Sequence, residues 1–432
     1  MYKNKYLKYK NKYINLKKNF GGNDINSLFN IDIDLLRRTD FFSNLHNYKQ
    51  NIKQIGIPSS NGFINQLTYE DDGIQYSIVL KSNLGIKSDN LVNEYLVGQC
   101  INHFAIFYPC FSKTFQICKY NSEEDYILFK ESREEIILPK TFDKYFTKLD
   151  PYKLEELIIN GCKFNNLICI FMQYIPIWIS ISDYVSQIEQ VSDLYIIVTI
   201  FHLLYSCLSN FANFFTHHDL NINNVALVKI PNDQYVIINI HLIDGKVISY
   251  KTNIIPVIID YGLCFVDCSF EESLSLFTSL KIKEIVCNHD NKTDNICPDI
   301  CGDNVGFKFI DRHMSRDLIL LSTILPRISG RINIKRAILK RNDYIDKTLQ
   351  ELPTKILPHS TLTPDGVYFL NPENLDEKTD KFYNVHSAFH IFTEIIDNPK
   401  FKEGNEAIFQ SSTLYKTIDI WHGRFDKPFT VS

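Results

Sequence analysis

The chain has 432 residues, with 46 Lys and Arg against 50 Asp and Glu, for a formal net charge of −4. A hydrophobic share of 45% beside a charged share of 22% supplies a core, which excludes a collagenous, wholly disordered or disulfide-framework chain. The near-neutral balance leaves no basic surplus to neutralise phosphates, so no nucleic-acid partner is expected.

Residues 1–22 stand apart. Tyr2, Tyr6, Tyr9, Tyr13, Leu16 and Phe20 form one helical stripe among seven lysines and no acid, which predicts a basic helical extension ahead of Gly21-Gly22. This basic start has no apolar run behind it, so it does not read as a secretory signal. From about Lys53 to Lys81 the pattern is that of strands: Gln75–Lys81 alternates after a turn at Asp71-Asp72-Gly73. Asp89–Phe104 reads as a helix with Asp89 as its cap, and Phe111–Tyr120 and Leu167–Tyr174 as further strands. Residues 121–165 between them look like a charged insertion with one helix at Pro151–Asn160. Pro176 breaks the run. Helices dominate from Ser182 onward, with short strands near 225–230, 234–240 and 254–260.

Leu194–Thr216 carries no charge over 23 residues, long enough to span a bilayer. It contains His202, Ser206, Ser209, Asn210 and Asn213 and runs into a polar stretch, so a buried core helix is expected and no membrane span. The eleven cysteines, scattered through apolar runs at positions such as Cys162, Cys169 and Cys207, read as reduced intracellular thiols. The tail from about Leu352 mixes helix and strand signals, as in Tyr415–Trp421, and suggests no function.

Two stretches carry candidate chemistry. His217-His218-Asp219-Leu220, with Asn224 four residues further on, follows the long apolar helix and precedes a strand; Val257–Gly262 is a second strand that ends in Asp260-Tyr261-Gly262. Phosphoryl transfer needs a carboxylate to orient the attacking hydroxyl and accept its proton, and oxygen ligands for Mg²⁺. Asp219 suits the first task, and Asn224 with Asp260 the second.

His217-His218-Asp219-Leu220-x-x-x-Asn224 resembles the H-R-D-x-x-x-x-N catalytic loop of eukaryotic-type protein kinases, with the same Asp-to-Asn spacing, and Asp260-Tyr261-Gly262 resembles their D-F-G. Ile78-Val79-Leu80-Lys81 is similar to the V-A-I-K strand whose lysine holds the nucleotide phosphates, and Glu94 matches the glutamate that pairs with that lysine, at a shorter spacing than the family norm. The Gly-rich loop is reduced to its outer glycines, Gly56 and Gly62, with Ile64 at its end. Gln173-Tyr174-Ile175 falls where the family's hinge offers backbone groups to adenine, and Asp317 matches an aspartate that braces the catalytic loop. His217 reads as a packed residue rather than a general base. Two departures stand out: His218 replaces the H-R-D arginine, and no A-P-E follows Gly262.

This resemblance, over roughly Lys53–Leu325, implies an α+β, bilobal protein-kinase-like fold. A small β-rich lobe would cover residues 53–173, and a large, mainly helical lobe residues 174–432, with an extension from about 352. It implies an ATP- and Mg²⁺-dependent phosphotransferase, a serine/threonine-protein kinase acting on a protein substrate. Lys81, Glu94 and Asp219 would be catalytic, Gly56, Gly62, Ile64, Lys81, Gln173 and Ile175 would bind nucleotide, and Asn224 and Asp260 would bind metal. Two other readings stay open: a small-molecule kinase of the aminoglycoside or choline type, and a pseudokinase or virion scaffold. The Tyr/Lys repeat and Ile/Asn-rich composition resemble proteins of giant DNA viruses, which implies an intracellular setting, host cytoplasm or virion. Cys287, His289, Cys297 and Cys301 could bind zinc, though their C-x-H and C-x3-C spacings are not those of usual knuckles; packed, reduced cysteines are the other reading.

Overall fold

A computed structural model describes residues 50–432 except 56–61, 72–73, 85–89, 139–143, 154–155, 158–166, 176–177, 231–232, 270–313, 336–342, 357–360, 363–367 and 370–383. The basic extension over 1–22, Gly56, the Asp89 cap, half of the helix expected at 151–160, and Cys287, His289, Cys297 and Cys301 lie outside the described residues.

β1 (Gln50–Ile55), β2 (Gly62–Asp71) and β3 (Ile74–Asn83) form an antiparallel meander, with Ile64 directly opposite Lys81. α1 (Asn90–Phe104), β4 (Thr114–Tyr120), α2 (Glu123–Glu131), β5 (Ile136–Ile137), β6 (Phe146–Lys148) and β7 (Ile168–Gln173) follow. Among the described residues the sheet order is β5-β1-β2-β3-β7-β4-β6. Side chains alternate between its faces. Ile78 and Leu80 enter one aromatic-rich cluster with Tyr126 and Phe129 of α2. Val79 packs on the opposite side, against the main core, and Lys81 shares that face with α1. α1 lies tight on β4: a Cβ at Gly98 would sit 2.2 Å from Thr114 Oγ1.

α2 is a helix inside the stretch where one was expected only at 151–160. Its signal is local: Ser122 Oγ accepts the N–H of Asp125 at 3.1 Å, and Glu123, Glu124 and Asp125 fill the first turn. The insertion therefore covers one sheet face with its own core.

β8 (Trp178–Ser180), α3 (Ile181–Ser186), α4 (Val191–Phe211), β9 (Phe215–Thr216), β10 (Val225–Lys229), β11 (Gln234–His241), β12 (Val247–Thr252), β13 (Ile254–Ile258) and β14 (Phe265–Val266) come next. A short 3₁₀ turn at Arg316–Leu318 leads into α5 (Ile319–Lys335), α6 (Asp343–Ile356), β15 (Thr361–Leu362), β16 (Tyr368–Phe369), α7 (Val385–Asp397), α8 (Pro399–Ile408), β17 (Thr413–Trp421) and β18 (Thr430–Val431). Three strands pair as β13-β10-β8, and four as β12-β11-β17-β18.

The fold is α+β. Beyond Tyr174, where a mainly helical chain is expected, the described residues mix helices with eleven strands. The β11–β12 hairpin would leave β11 with an open edge, and the β-branched and aromatic run at Thr413–Trp421 fills it by pairing in parallel across the length of β11.

α4 is the one described helix long and apolar enough to cross a membrane, and 83% of its apolar window is buried inside the protein. Its polar groups have internal partners. Ser206 Oγ meets Tyr108 Oη at 3.0 Å, His202 Nε2 meets Thr393 Oγ1 at 3.1 Å, and Ser209 Oγ meets His386 Nδ1 at 2.7 Å.

Candidate functional site

Strand pairing builds the site. In the β10–β13 ladder Val225 faces Ile258, and Ile259 N–H donates to the Asn224 carbonyl at 3.0 Å. Asn224 and Asp260 therefore emerge side by side at one end of that ladder. Asp260 takes a left-handed backbone, with φ of 66°. Lys81, on the α1 face of β3, reaches across to both neighbours: its Nζ donates to Glu94 Oε2 at 2.7 Å and to Asp260 Oδ1 at 2.9 Å. Glu94 is sealed at 1% exposure, whereas the Lys81 and Asp260 side chains keep 21% and 47%.

The electrostatics follow from that burial gradient. Burial pulls the Lys81 ammonium down, but the carboxylates of Asp260 and Glu94 outweigh it and hold the lysine above its ordinary range. Burial pushes Glu94 up to about 7, against the pull of Lys81. Lys81 in turn holds the Asp260 carboxyl below its usual value.

The 217–224 loop is braced from beneath and from within. The short β9–β14 pair, Phe215-Thr216 against Phe265-Val266, ties the segments that carry Asp219 and Asp260. His218 is left-handed, with φ of 62°, so the chain turns sharply there. Asp317, buried in the 3₁₀ turn, accepts the N–H of His217 at 2.9 Å and of His218 at 3.0 Å. Burial pushes its carboxyl up to about 6, against the opposing pull of His217 and those two N–H groups. His217 is fully buried, and its Nε2 meets the Ile259 carbonyl at 3.1 Å.

Two amides bracket the Asp219 carboxylate: Asn221 Nδ2 donates to Oδ1 at 3.0 Å and Asn224 Nδ2 to Oδ2 at 3.0 Å. Asn224 also donates to the Asp219 carbonyl at 2.8 Å. Contacts thus run from Glu94 through Lys81 to Asp260, across the Ile259–Asn224 backbone bond, and on to Asp219. The structure brings these five expected residues together.

The expected nucleotide-binding residues divide. Ile64 shares the face of Lys81 as its cross-strand neighbour. At Gly62 a Cβ would lie 2.5 Å from the Ser82 carbonyl, so glycine is needed there for close strand approach whatever binds nearby. Gln173 N–H donates to the Lys113 carbonyl at 2.8 Å, and its Oε1 accepts Lys113 N–H at 3.1 Å. That backbone donor is therefore not offered to a ligand. The Ile175 side chain is buried in the main core.

No group of three or more His, Cys, Asp or Glu among the described residues could hold a metal by itself. Asn224 and Asp260 offer one amide and one carboxylate. That is the sparse oxygen set suited to Mg²⁺, which keeps waters and takes phosphate oxygens for its remaining positions. Sequence reasoning missed Asn93, Ser112 and Asn221. Asn221 had a visible signal in the Asn-rich run after Asp219, while Asn93 and Ser112 act through contacts distant in the chain. No protein-family model matches the chain, and no curated protein matches it either.

Proposed function

We propose that this protein is an ATP- and Mg²⁺-dependent phosphotransferase of bilobal, protein-kinase-like build, acting on a serine or threonine hydroxyl. The observation that carries the reading is the convergence of Lys81, Glu94, Asp260, Asn224 and Asp219 through one continuous set of contacts. The lysine on the third strand and its glutamate on the next helix support it further.

In this reading Lys81 binds the nucleotide phosphates and stays charged between two carboxylates, while buried Glu94 fixes its position. Asp219, held on both oxygens by amides, orients the acceptor hydroxyl and takes its proton. Asn224 and Asp260 hold magnesium. When bound, the metal supplies positive charge against the triphosphate. The rest of the rate comes from alignment in a pre-set electrostatic frame.

The test is phosphate transfer from labelled ATP with Mg²⁺, comparing wild type with Asp219→Asn and Asp260→Asn. Loss in both variants is expected; full signal in both would overturn the reading. The missing A-P-E favours a second acceptor class, a small-molecule hydroxyl, and a metabolite panel run beside protein acceptors separates the two. A scaffold without catalysis would show no thermal stabilisation by Mg²⁺ and ATP.

A further inference from the structure

We propose that Tyr261 and Asn93 are positioning residues: two buried polar latches that fasten the Asp260 turn to α1 and the segment just after it. The inference rests on the phosphotransferase reading for its functional consequence, and on geometry alone for the latches themselves.

A non-glycine residue at φ of 66° persists only where its surroundings hold it. Lys81 holds the Asp260 side chain, but the backbone has its own restraints. Tyr261 is fully buried, and its hydroxyl lies 2.8 Å from the Ser112 carbonyl and 3.0 Å from the Ile258 carbonyl. Ser112 Oγ donates back to that hydroxyl at 3.1 Å. One residue further, Asn93 Nδ2 donates to the Gly262 carbonyl at 2.9 Å from a side chain 3% exposed. The chain before the turn is laced to the same unit: Ile258 N–H donates to the Cys110 carbonyl at 2.7 Å, and Ser112 N–H to the Ile258 carbonyl at 3.1 Å.

Asp260 is thus flanked by Gly262, bonded to Asn93 on α1, the helix that carries Glu94, and by Tyr261 and Ile258, bonded to Cys110 and Ser112 just after that helix. Glu94 and Asp260 flank Lys81, and they cannot separate without breaking hydrogen bonds that water does not reach. A phenylalanine at 261 would fill the same space and lose this restraint.

The experiment is hydrogen exchange on the ligand-free full chain, read on peptides covering 259–264. The Ile259 and Cys264 N–H groups there are internally bonded. Tyr261→Phe and Asn93→Ala are each expected to speed exchange about tenfold. Tyr108→Phe, which loses a comparable buried hydroxyl contact to Ser206 on α4, should leave those peptides unchanged. In parallel, Kd for ATP with Mg²⁺ should rise about tenfold in the two latch variants while the acceptor KM holds.

Exchange within twofold of wild type in Tyr261→Phe and in Asn93→Ala would overturn the latches, as would an equal response in Tyr108→Phe. Should Asn93→Ala not fold, Asn93→Ser provides the same reading. If wild type itself fails to bind ATP with Mg²⁺, the phosphotransferase reading falls, and the exchange data still judge the latches.

Discussion

The two faces of the first sheet use β3 in opposite ways. On one, Lys81 holds Glu94 and the partly exposed Asp260 at ion-pair distance. On the other, Leu80 at 1% exposure sits in an aromatic cluster under α2, where Tyr120 and Phe129 meet Phe146 at ring-centroid distances of 4.9 and 5.1 Å. Charges at fixed separation add little net stability, because desolvation offsets attraction. Buried aromatics add a great deal. On the proposed function, one strand would separate chemistry from stability by side-chain parity, and damage to either face should then show in a different measurement.

Lys81→Met is the sharpest way to break that division. On the proposed function, transfer should fall to background, a loss of more than about 10³-fold, because bound phosphates would lose the Lys81 cation. The unfolding midpoint should move far less. Glu94 already sits near neutrality at about 7 and takes up a proton once its partner is gone. A large collapse in stability with transfer retained would reverse the assignment of the two faces.

Phe129→Ala tests the opposite face. The side chain is fully buried against Tyr120, Tyr145 and Phe146, so its truncation should cost about 3–5 kcal/mol in denaturant unfolding. The KM for ATP, measured at a temperature where the variant remains folded, should stay within a factor of two or so.

Asp317, which holds the 217–218 backbone, ties that loop to pH. Its folded carboxyl titrates near 6 against an ordinary 3.8, so between those values the unfolded chain is ionised while the folded chain keeps its proton. That contribution is fully present below about 3.8 and is lost as pH rises through 6, a change of about 3 kcal/mol in the direction of lower stability. Urea midpoints across this window should show a component with that sign in wild type. It should vanish in Asp317→Asn, which also loses one of the two N–H contacts to the loop.

Much of the candidate site was legible because its parts are local. Alternation along β3 marks Lys81 as facing away from Leu80, one helix later Glu94 is in reach, and Asp219, Asn224 and Asp260 sit in short patterns at strand ends. The boundaries of α1, β4 and β7 were within a few residues for the same reason. The rest depends on distance in the chain. Nothing near Tyr415 announces that β17 will lie parallel to β11, some 180 residues earlier. Gly62 reads as a phosphate-loop glycine in sequence, and only its pairing opposite Asn83, which brings the Ser82 carbonyl close, shows the steric demand on it. The insertion reads as a charged stretch with its one helix at 151–160, and Glu123, Glu124 and Asp125 dominate its opening. Those acids are the first turn of a helix whose buried side carries Tyr126 and Phe129.

That first turn yields the smallest and finest test. α2 is nine residues long, too short to be stable by itself, so it depends on its packing and on its cap. Ser122→Ala removes the acceptor for Asp125 N–H and should cost about 1 kcal/mol, read as a shift in the urea midpoint with unchanged slope. Ser122→Asp should restore it, since a carboxylate at that position accepts the same N–H and favours the helix's positive end. Neither change should alter Kd for ATP with Mg²⁺, because α2 meets β3 through the Leu80 cluster on the far face and through the Tyr126 hydroxyl on the Asn83 carbonyl at 3.0 Å, not through Lys81. A shift in that Kd that tracks the capping energy would show that the sheet transmits strain between its faces. Lys81 would then be set by the insertion as well as by α1.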